Sequence, residues 1–161
     1  MGINVIPPKF PTRRAISLTS GTSWTVPTGV KFVNVTLFGG GGGGGGVSVS
    51  SSFSHIAHDG NGGEVQLSTV TTTPGASIAY AIGAGGTGGV SVSGGTGGTT
   101  TFTGATSAAG GIGGRIADPG EPGSAGSMSR ATNGGQGAIS TSTATGGAGA
   151  SGWIELEYWV A

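Results

Sequence analysis

Short stretches in which apolar and polar residues alternate recur along the chain, and residues 30–38 show the alternation most clearly. There Val33, Val35 and Leu37 are separated by single polar residues, and this period of two predicts a half-buried β-strand. The same kind of signal predicts strands at residues 15–19, 23–26, 64–72, 77–82, 99–103, 106–109 and 153–160. Because no stretch shows the 3.6-residue apolar period of an amphipathic helix, the pattern predicts an all-β protein.

Glycine is concentrated between these strands. Of the 39 glycines in 161 residues, 34 lie in the segments 39–63, 83–98 and 110–152, each of which directly follows a predicted strand. Many of them are three residues apart, and three residues make one turn of a polyproline-II-like helix, which has no internal hydrogen bonds. Backbone groups must find partners elsewhere in such a helix, so we expect the glycine-rich segments to stack on one another as polyglycine-II.

Strand directions predict where the glycine-rich segments emerge. If consecutive strands alternate in direction, all three segments leave the same end of an antiparallel β-sandwich of about eight strands, resembling a jelly roll. The length allows one domain, which we expect over residues 15–161. Residues 1–14 contain Pro7, Pro8 and Pro11 and predict an extended N-terminal arm, because proline fixes φ and favours an extended predecessor.

Composition and motifs exclude several classes of function. Charged residues make up 7% of the chain and the net charge is zero, which argues against nucleic-acid binding. There is no cysteine for disulfides or thiolate chemistry. No lysine follows the glycine run 39–46 as a phosphate-binding loop requires, and no helix follows it as a dinucleotide fold requires. We therefore expect a protein without enzymatic activity and without a cofactor. Because the sequence starts without a signal-peptide pattern, we expect synthesis in a cytoplasm.

The order of strands and glycine runs resembles a known family. The segments SLTSGTSWTVPTGVKFVNVTLFGGGGGGG, GGEVQLSTVTTTPGASIAYAIGAGGTGG, GGTTTFTG, SAAGGIGG and GASGWIELEYW are similar to the glycine-rich domain of bacteriophage tail-fibre and tail-tip proteins, over about residues 16–159. The resemblance implies an adhesin-like virion protein of the tail, assembled in the host cytoplasm, often homotrimeric and concerned with host recognition. Its implied partners are other tail or virion proteins and a host surface glycan or outer-membrane protein.

Two segments contain the side chains that we expect to bind a receptor. Residues 53–61 contribute Phe53, His55, His58, Asp59 and Asn61, and the third glycine-rich segment contributes Arg115, Asp118, Glu121, Arg130, Asn133 and Gln136. Polar and aromatic side chains on presented loops suit sugar hydroxyls or a polar protein surface. The competing interpretation is that these residues only keep the loops soluble. His55, His58 and Asp59 have a spacing that could bring them to one metal ion, but we expect no metal site.

The N-terminal arm is expected to attach the protein to the virion. Its candidate residues are Lys9, Phe10, Arg13 and Arg14. Three cations are too few for a nucleic-acid site, and docking on a neighbouring virion protein is the better hypothesis. Two alternatives for the whole chain remain: a structural or decoration protein of the tail or capsid that binds no receptor, and an ice-binding protein that presents threonines on a polyglycine-II bundle.

Overall fold

The computed structural model describes residues 10–48, 55–116, 132–140 and 142–160. These residues form nine β-strands and no helix. The strands are β1 (Thr12–Leu18), β2 (Ser23–Thr25), β3 (Phe32–Phe38), β4 (His55–Ile56), β5 (Val65–Thr71), β6 (Ser77–Ala81), β7 (Thr101–Phe102), β8 (Ile139–Ser140) and β9 (Trp153–Val160).

Two antiparallel sheets enclose the main core. One has the strand order β1-β9-β3-β5 and the other has the order β2-β6-β7. Alternate residues of β3 and β9 point inward, as the period of two predicts, and they meet aromatic residues of the second sheet. Trp24 on β2, for example, lies 5.6 Å from Tyr158 on β9, measured between ring centroids. The predicted all-β, antiparallel, sandwich-like fold is confirmed.

The observed strands differ from the predicted ones in three places. Strands β4 and β8 pair with each other inside glycine-rich segments for which no strand was predicted. Residues 106–109 do not form a strand: Ala108 makes a single bridge to Thr100, after a turn in which Gly104 has φ +90°. That segment has little apolar surface to pack, so the pairing ends after one bridge. At the other end of the chain, β1 begins at Thr12 and not at residue 15, because Arg13 and Arg14 pair with Trp159 and Tyr158 of β9.

The glycine-rich segments form seven extended stretches that stack side by side. We name them in chain order g1 (39–47), g2 (57–64), g3 (83–90), g4 (92–98), g5 (109–116), g6 (132–138) and g7 (144–152). Stretches g1, g3 and g5 lead away from the sandwich, and g2, g4 and g7 lead back to it. Stretch g6 lies alongside g1 and runs in the same direction. All of them therefore lie at one end of the sandwich, as the strand directions predict. We call the far end of this bundle distal and the opposite end of the sandwich proximal.

Stretch g1 lies at the centre of the bundle and is hydrogen-bonded to all six others. Its successive backbone amides donate in turn to backbone carbonyls of g2, g4 and g7, so the pattern repeats every three residues. For example, Gly42 N donates to Asn61 O, Gly43 N to Gly95 O and Gly44 N to Gly147 O, each at 2.8 Å. Its carbonyls accept from g3, g5 and g6, for example from Gly89, Gly114 and Gly135 at 2.7–2.9 Å. Successive residues of g1 thus face different neighbours, which is the threefold repeat expected from the sequence.

The six outer stretches also bond to one another and close a ring. The order around g1 is g2-g5-g4-g3-g7-g6, and g6 bonds back to g2 through Gly60 N and Gly135 O at 2.8 Å. Registers show that g3, g5 and g6 run parallel to g1, whereas g2, g4 and g7 run antiparallel to it. Directions therefore alternate around the ring. The predicted stacking of glycine-rich segments is confirmed, with every stretch held on at least three sides.

Close packing explains why g1 contains only glycine from 39 to 46. A Cβ built on any of these eight residues would lie 1.9–2.5 Å from backbone atoms of a neighbouring stretch, a distance that no side chain can adopt. The outer stretches need glycine only where they face inward or touch a ring neighbour. In g3, for instance, Ala84, Thr87 and Val90 are exposed, whereas Gly83, Gly86 and Gly89 are buried. The outward positions are thus the places where the bundle tolerates side chains.

Two threonines join the bundle to the sandwich. Thr100 Oγ1 accepts a hydrogen bond from Gly83 N at 2.9 Å and donates one to Phe38 O at 2.7 Å. Thr132 Oγ1 does the same between Gly63 N and Gly39 O, both at 2.8 Å. They are the buried polar side chains of the described residues. A hydroxyl both donates and accepts, so each threonine supplies the partners that the starts of g1 and g3 and the end of g2 would otherwise lack.

A single methyl group in the centre of the bundle is expected to disrupt it. In Gly44→Ala the new Cβ would lie 1.9 Å from Gln136 O and 2.3 Å from Gln136 C, both backbone atoms. Moving g6 away breaks its bonds to g1, so we expect the free energy of unfolding to fall by about 3 kcal/mol or more. The matched control is Gly147→Ala, whose nearest contact is Gln136 N at 3.2 Å. It should cost about 1 kcal/mol or less by chemical denaturation. Equal stability of the two variants would contradict the packing.

The junction can be tested by removing one hydroxyl. Thr100→Val keeps the branched shape but leaves Gly83 N and Phe38 O without their partner. Because each unpaired buried group costs about 1–3 kcal/mol, we expect a loss of about 3 kcal/mol, whereas Thr100→Ser should lose about 1 kcal/mol. Denaturation can be followed by the fluorescence of the core tryptophan Trp24. A smaller loss in Thr100→Val than in Thr100→Ser would show that the methyl group, and not the hydroxyl, is what matters.

Candidate functional site

The predicted receptor-binding residues that the structure describes lie on one side of the bundle. His55 is on β4; His58, Asp59 and Asn61 are on g2, Arg115 is on g5, and Asn133 and Gln136 are on g6. Stretches g5, g2 and g6 are consecutive in the ring, so these residues share a side. The remaining predicted residues, Phe53, Asp118, Glu121 and Arg130, lie outside the described residues, as does Lys9.

The opposite side of the bundle has a different chemistry. Stretches g4, g3 and g7 contain only glycine, alanine, serine, threonine and valine. Every charged or amide side chain among the described bundle residues therefore belongs to g5, g2 or g6. The bundle has one chemically varied side and one side of small residues.

The predicted residues are spread along the bundle and do not share one end. His58 and Arg115 lie near the distal end, where His58 N donates to Arg115 O at 3.1 Å. Asn133, by contrast, follows Thr132 at the junction with the sandwich. Since one turn of such a helix rises roughly 9 Å, Asn133 lies about two turns below His58. The residues form a strip along the side of the bundle.

Asp59 has a structural partner. Its Oδ1 accepts a hydrogen bond from Gly137 N at 2.6 Å, which ties g2 to g6. Charge-assisted bonds of this kind are short and stronger than neutral ones. His55 pairs with Ser140 in the short β4–β8 sheet. Within the ranges that the structure describes, no three histidine, aspartate or glutamate side chains are arranged to hold a metal ion.

The expected attachment residues are partly built into the sheet. Phe10 precedes β1 and is 81% exposed, whereas Arg13 and Arg14 are residues of β1 itself. Arg13 Nε donates to Glu157 Oε1 of the neighbouring strand. This hydrogen bond, together with the negative charge of Glu157, raises the pKa of the Arg13 guanidinium. The interpretation of residues 1–14 as an arm is therefore wrong for Thr12–Arg14, which the pairing with β9 holds in place.

The distal end has a rim of exposed aliphatic residues that the sequence analysis missed. Ile56 and Ile139 pair across the β4–β8 sheet, and Val90 and Val92 flank Ser91, which has φ +56°. These four residues, which we call the distal rim, are 41–68% exposed. Beneath them the central stretch ends in Val47, which is fully buried with Ala57 and Ala138. The predicted binding residues are polar or aromatic, whereas the distal rim is aliphatic; the triplet Val90-Ser91-Val92 between glycine pairs was the available signal.

No helix in the described part of the chain could cross a membrane.

Substitution of Asp59 can test whether its carboxylate holds g6 in place or only lies on the surface. Asp59→Ala removes the acceptor of Gly137 N, so we expect a loss of about 1–3 kcal/mol and faster hydrogen exchange of the Gly137 amide. Asp59→Asn keeps an oxygen at Oδ1 and should retain most of the stability and protection. Exchange measured by nuclear magnetic resonance distinguishes the variants. Unchanged protection of Gly137 in Asp59→Ala would show that the carboxylate does not hold g6.

Comparison with known proteins places the chain in a family. No curated protein matches it. The family model described as a glycine-rich domain matches residues 17–153, from the end of β1 to the start of β9, and so includes the whole bundle. The chain therefore belongs to the glycine-rich domain family.

Proposed function

We propose that the protein is a bacteriophage virion protein, of a tail fibre or tail tip, that presents the distal end of its bundle to the host surface. The observation that supports this role is the closed ring of six stretches around g1, which holds the distal rim at the end opposite to the start of β1. The resemblance to tail-fibre and tail-tip proteins supports the virion context. In this proposal the protein acts as a binding module and performs no catalysis.

Rigid presentation is the physical advantage of this architecture for binding. A turn such as Val90–Val92 connects two stretches whose backbone groups are bonded to three neighbours or more. Its ends are therefore fixed before any ligand arrives. Binding then costs less conformational entropy than it would for a free loop of the same sequence, which is why recognition loops are commonly mounted on rigid scaffolds.

The chemistry of the distal rim favours a protein receptor. Its four residues are aliphatic, and the nearest described carboxylate, Asp59, is occupied by Gly137 N. Aliphatic side chains gain free energy when they are removed from water by other apolar groups, which an outer-membrane protein offers more readily than a glycan. The strip of polar residues on g5, g2 and g6 adjoins this rim and can supply hydrogen bonds at its border.

The remaining features of the proposal come from the family resemblance. They are a homotrimer, a position in the virion tail after assembly in the host cytoplasm, and contacts with other virion proteins through the N-terminal region. The bundle does not need nucleic acid or a cofactor for this role.

The proposed contact can be tested with charges on the distal rim. Val90→Asp combined with Val92→Asp places two carboxylates on the rim, and we expect binding of the labelled protein to host cells to fall at least about tenfold, because charge burial opposes contact. The control pair, Thr87→Asp with Thr96→Asp, adds the same charge on exposed positions of g3 and g4 below the rim. It should change binding less than about twofold.

Both double variants should have the thermal stability of the parent protein, since all four positions are exposed. Unchanged binding of the Val90/Val92 variant would show that the rim is not the contact. Virions that lack the protein but adsorb normally and lose physical stability would instead support the structural or decoration role.

A further inference from the structure

The outward side chains of the sheet β1-β9-β3-β5 form rows across its strands. They alternate with the buried residues of β3 and β9, and the strand register gives their order. Phe32 comes opposite Trp159 when the register of β3 and β9 is continued by two residues. Aromatic residues occupy the first and the last row, and mainly polar residues occupy the two rows between them. From the proximal end the rows are Arg13, Trp159, Phe32 and Thr71; then Ala15, Glu157, Asn34 and Thr69; then Ser17, Glu155, Thr36 and Leu67; and last Trp153, Phe38 and Val65.

The two middle rows form the floor of a shallow groove, because most of their side chains are smaller than the aromatic ones on either side. One hollow, of about 260 Å³, lies over β1, β9 and β3 and has Glu155 in its lining. A second, of about 370 Å³, lies over β3 and β5. Asn34, Thr36 and Glu157 line both hollows, which are therefore continuous. We call this depression the sheet groove.

Two hydrogen bonds between strands hold polar side chains of the groove floor in place. Arg13 Nε donates to Glu157 Oε1, and Thr69 Oγ1 donates to Asn34 Oδ1 at 2.9 Å. The second carboxylate oxygen of Glu157 and the amide nitrogen of Asn34 are left for a ligand. In the next row, Glu155 forms no ion pair with another described residue. The floor thus offers acceptors and donors in positions that are fixed before a ligand binds.

The aromatic rows offer ring surface on both sides of the sheet groove. Trp159 is 44% exposed and Phe32 is 58% exposed. On the other side, Phe38 and Trp153 are half-buried and stacked, with ring centroids 4.1 Å apart. Because a strand rises about 3.3 Å per residue, Trp153 and Trp159 of β9 lie about 20 Å apart, a span of about four hexose units.

This arrangement is the reverse of a protein-binding surface. Protein interfaces have an apolar centre and a polar rim. Here the polar groups lie in the centre, and the aromatic rings lie on both sides of them. A sugar ring needs both kinds of group, because its hydroxyls donate and accept hydrogen bonds at its edge while the C–H groups of its faces pack on aromatic rings.

We infer that the sheet groove is a second binding site of this protein, and that it takes an uncharged, extended oligosaccharide of about four units. The sugar rings pack on Trp159 and Phe32, and their hydroxyls bond to Glu155, Glu157 and Asn34. This site lies on the sandwich and is separate from the distal rim. The inference goes beyond the proposed contact at the rim and does not depend on it.

Charge in the groove selects against acidic sugars. Two carboxylates, Glu155 and Glu157, line it together with one cation, Arg13, which is already paired with Glu157. An anionic sugar at this place meets the unpaired carboxylate of Glu155, and like charges brought together oppose binding. An uncharged saccharide makes the same hydrogen bonds without that repulsion.

Saccharide binding can be measured on the purified full-length chain. The probes are the β-1,4-linked tetramers of glucose and of N-acetylglucosamine, which are extended and uncharged, and tetragalacturonate, which has a similar length and is acidic. Calorimetry gives the Kd, and the indole N–H resonances of Trp153, Trp159 and the core residue Trp24 report the place of binding. We expect a Kd below about 1 mM for at least one uncharged tetramer and at least about tenfold weaker binding of tetragalacturonate, with the Trp159 resonance shifted and that of Trp24 unchanged.

Three variants connect the binding to the groove. Trp159→Ala removes a ring and Glu155→Ala removes an acceptor, and each should weaken binding of the uncharged tetramer at least about tenfold. The control is Ile112→Ala, which truncates an apolar residue that is 67% exposed on g5. It should change the Kd less than about twofold. All three positions are exposed, so thermal unfolding should be that of the parent protein.

Several results would overturn the inference: no binding of either uncharged tetramer at about 10 mM, equal affinity for tetragalacturonate, or equal binding by all three variants. A chain that self-associates, binds no saccharide and becomes monomeric in Trp159→Ala would show that a second copy covers the groove. None of these results bears on binding of host cells through the distal rim, so the proposed function and this inference fail separately.

Discussion

Extended stretches without side chains cannot satisfy their own backbone, and this single constraint organises the molecule. A polyproline-II-like helix makes no internal hydrogen bonds, so each amide and carbonyl needs a neighbour or water. Six neighbours around g1 provide those partners, and the ring among them provides the rest. Glycine is required because the same close approach that makes the bonds leaves no room for a Cβ. Stability of the bundle is therefore backbone stability, with a small apolar contribution from Val47 and its neighbours.

The sandwich supplies what the bundle cannot supply for itself, namely a starting register. Strands β3 and β6 lead into g1 and g3, and g2, g4 and g7 lead into β5, β7 and β9. Thr100 and Thr132 make the first bonds at the boundary. Once these first bonds are formed, the hydrogen bonds between g1 and its neighbours repeat every three residues, so the same register continues to the distal end. Exposed apolar residues separate in a similar way: the distal rim lies at one end of the molecule, and Phe10, Phe32 and Trp159 lie at the other.

Much of the fold was predictable from the sequence, because alternation identifies strands and antiparallel strands alternate in direction. Those two rules were sufficient to bring the glycine-rich segments to one end, and the threefold spacing of the glycines was sufficient to predict their stacking. The sites were less accessible. The role of Asp59 depends on the position of the Gly137 amide in g6. The role of Thr100 depends on how the end of β3 approaches the start of g3. Neither arrangement follows from the local sequence. Arg13 was assigned to an arm because the prolines before it hid its pairing with β9, and the distal rim was missed because it is aliphatic.

The exclusion of Cβ atoms from g1 also has a genetic consequence. Every base change that replaces a glycine by another amino acid introduces a Cβ. Such a change in any codon from Gly39 to Gly46 would therefore disrupt the packing of the bundle. Outward positions such as Thr87 and Val90 lie only one residue from such glycines and have no comparable restriction. Selection can therefore diversify the exterior of this protein at single-residue spacing without altering its interior.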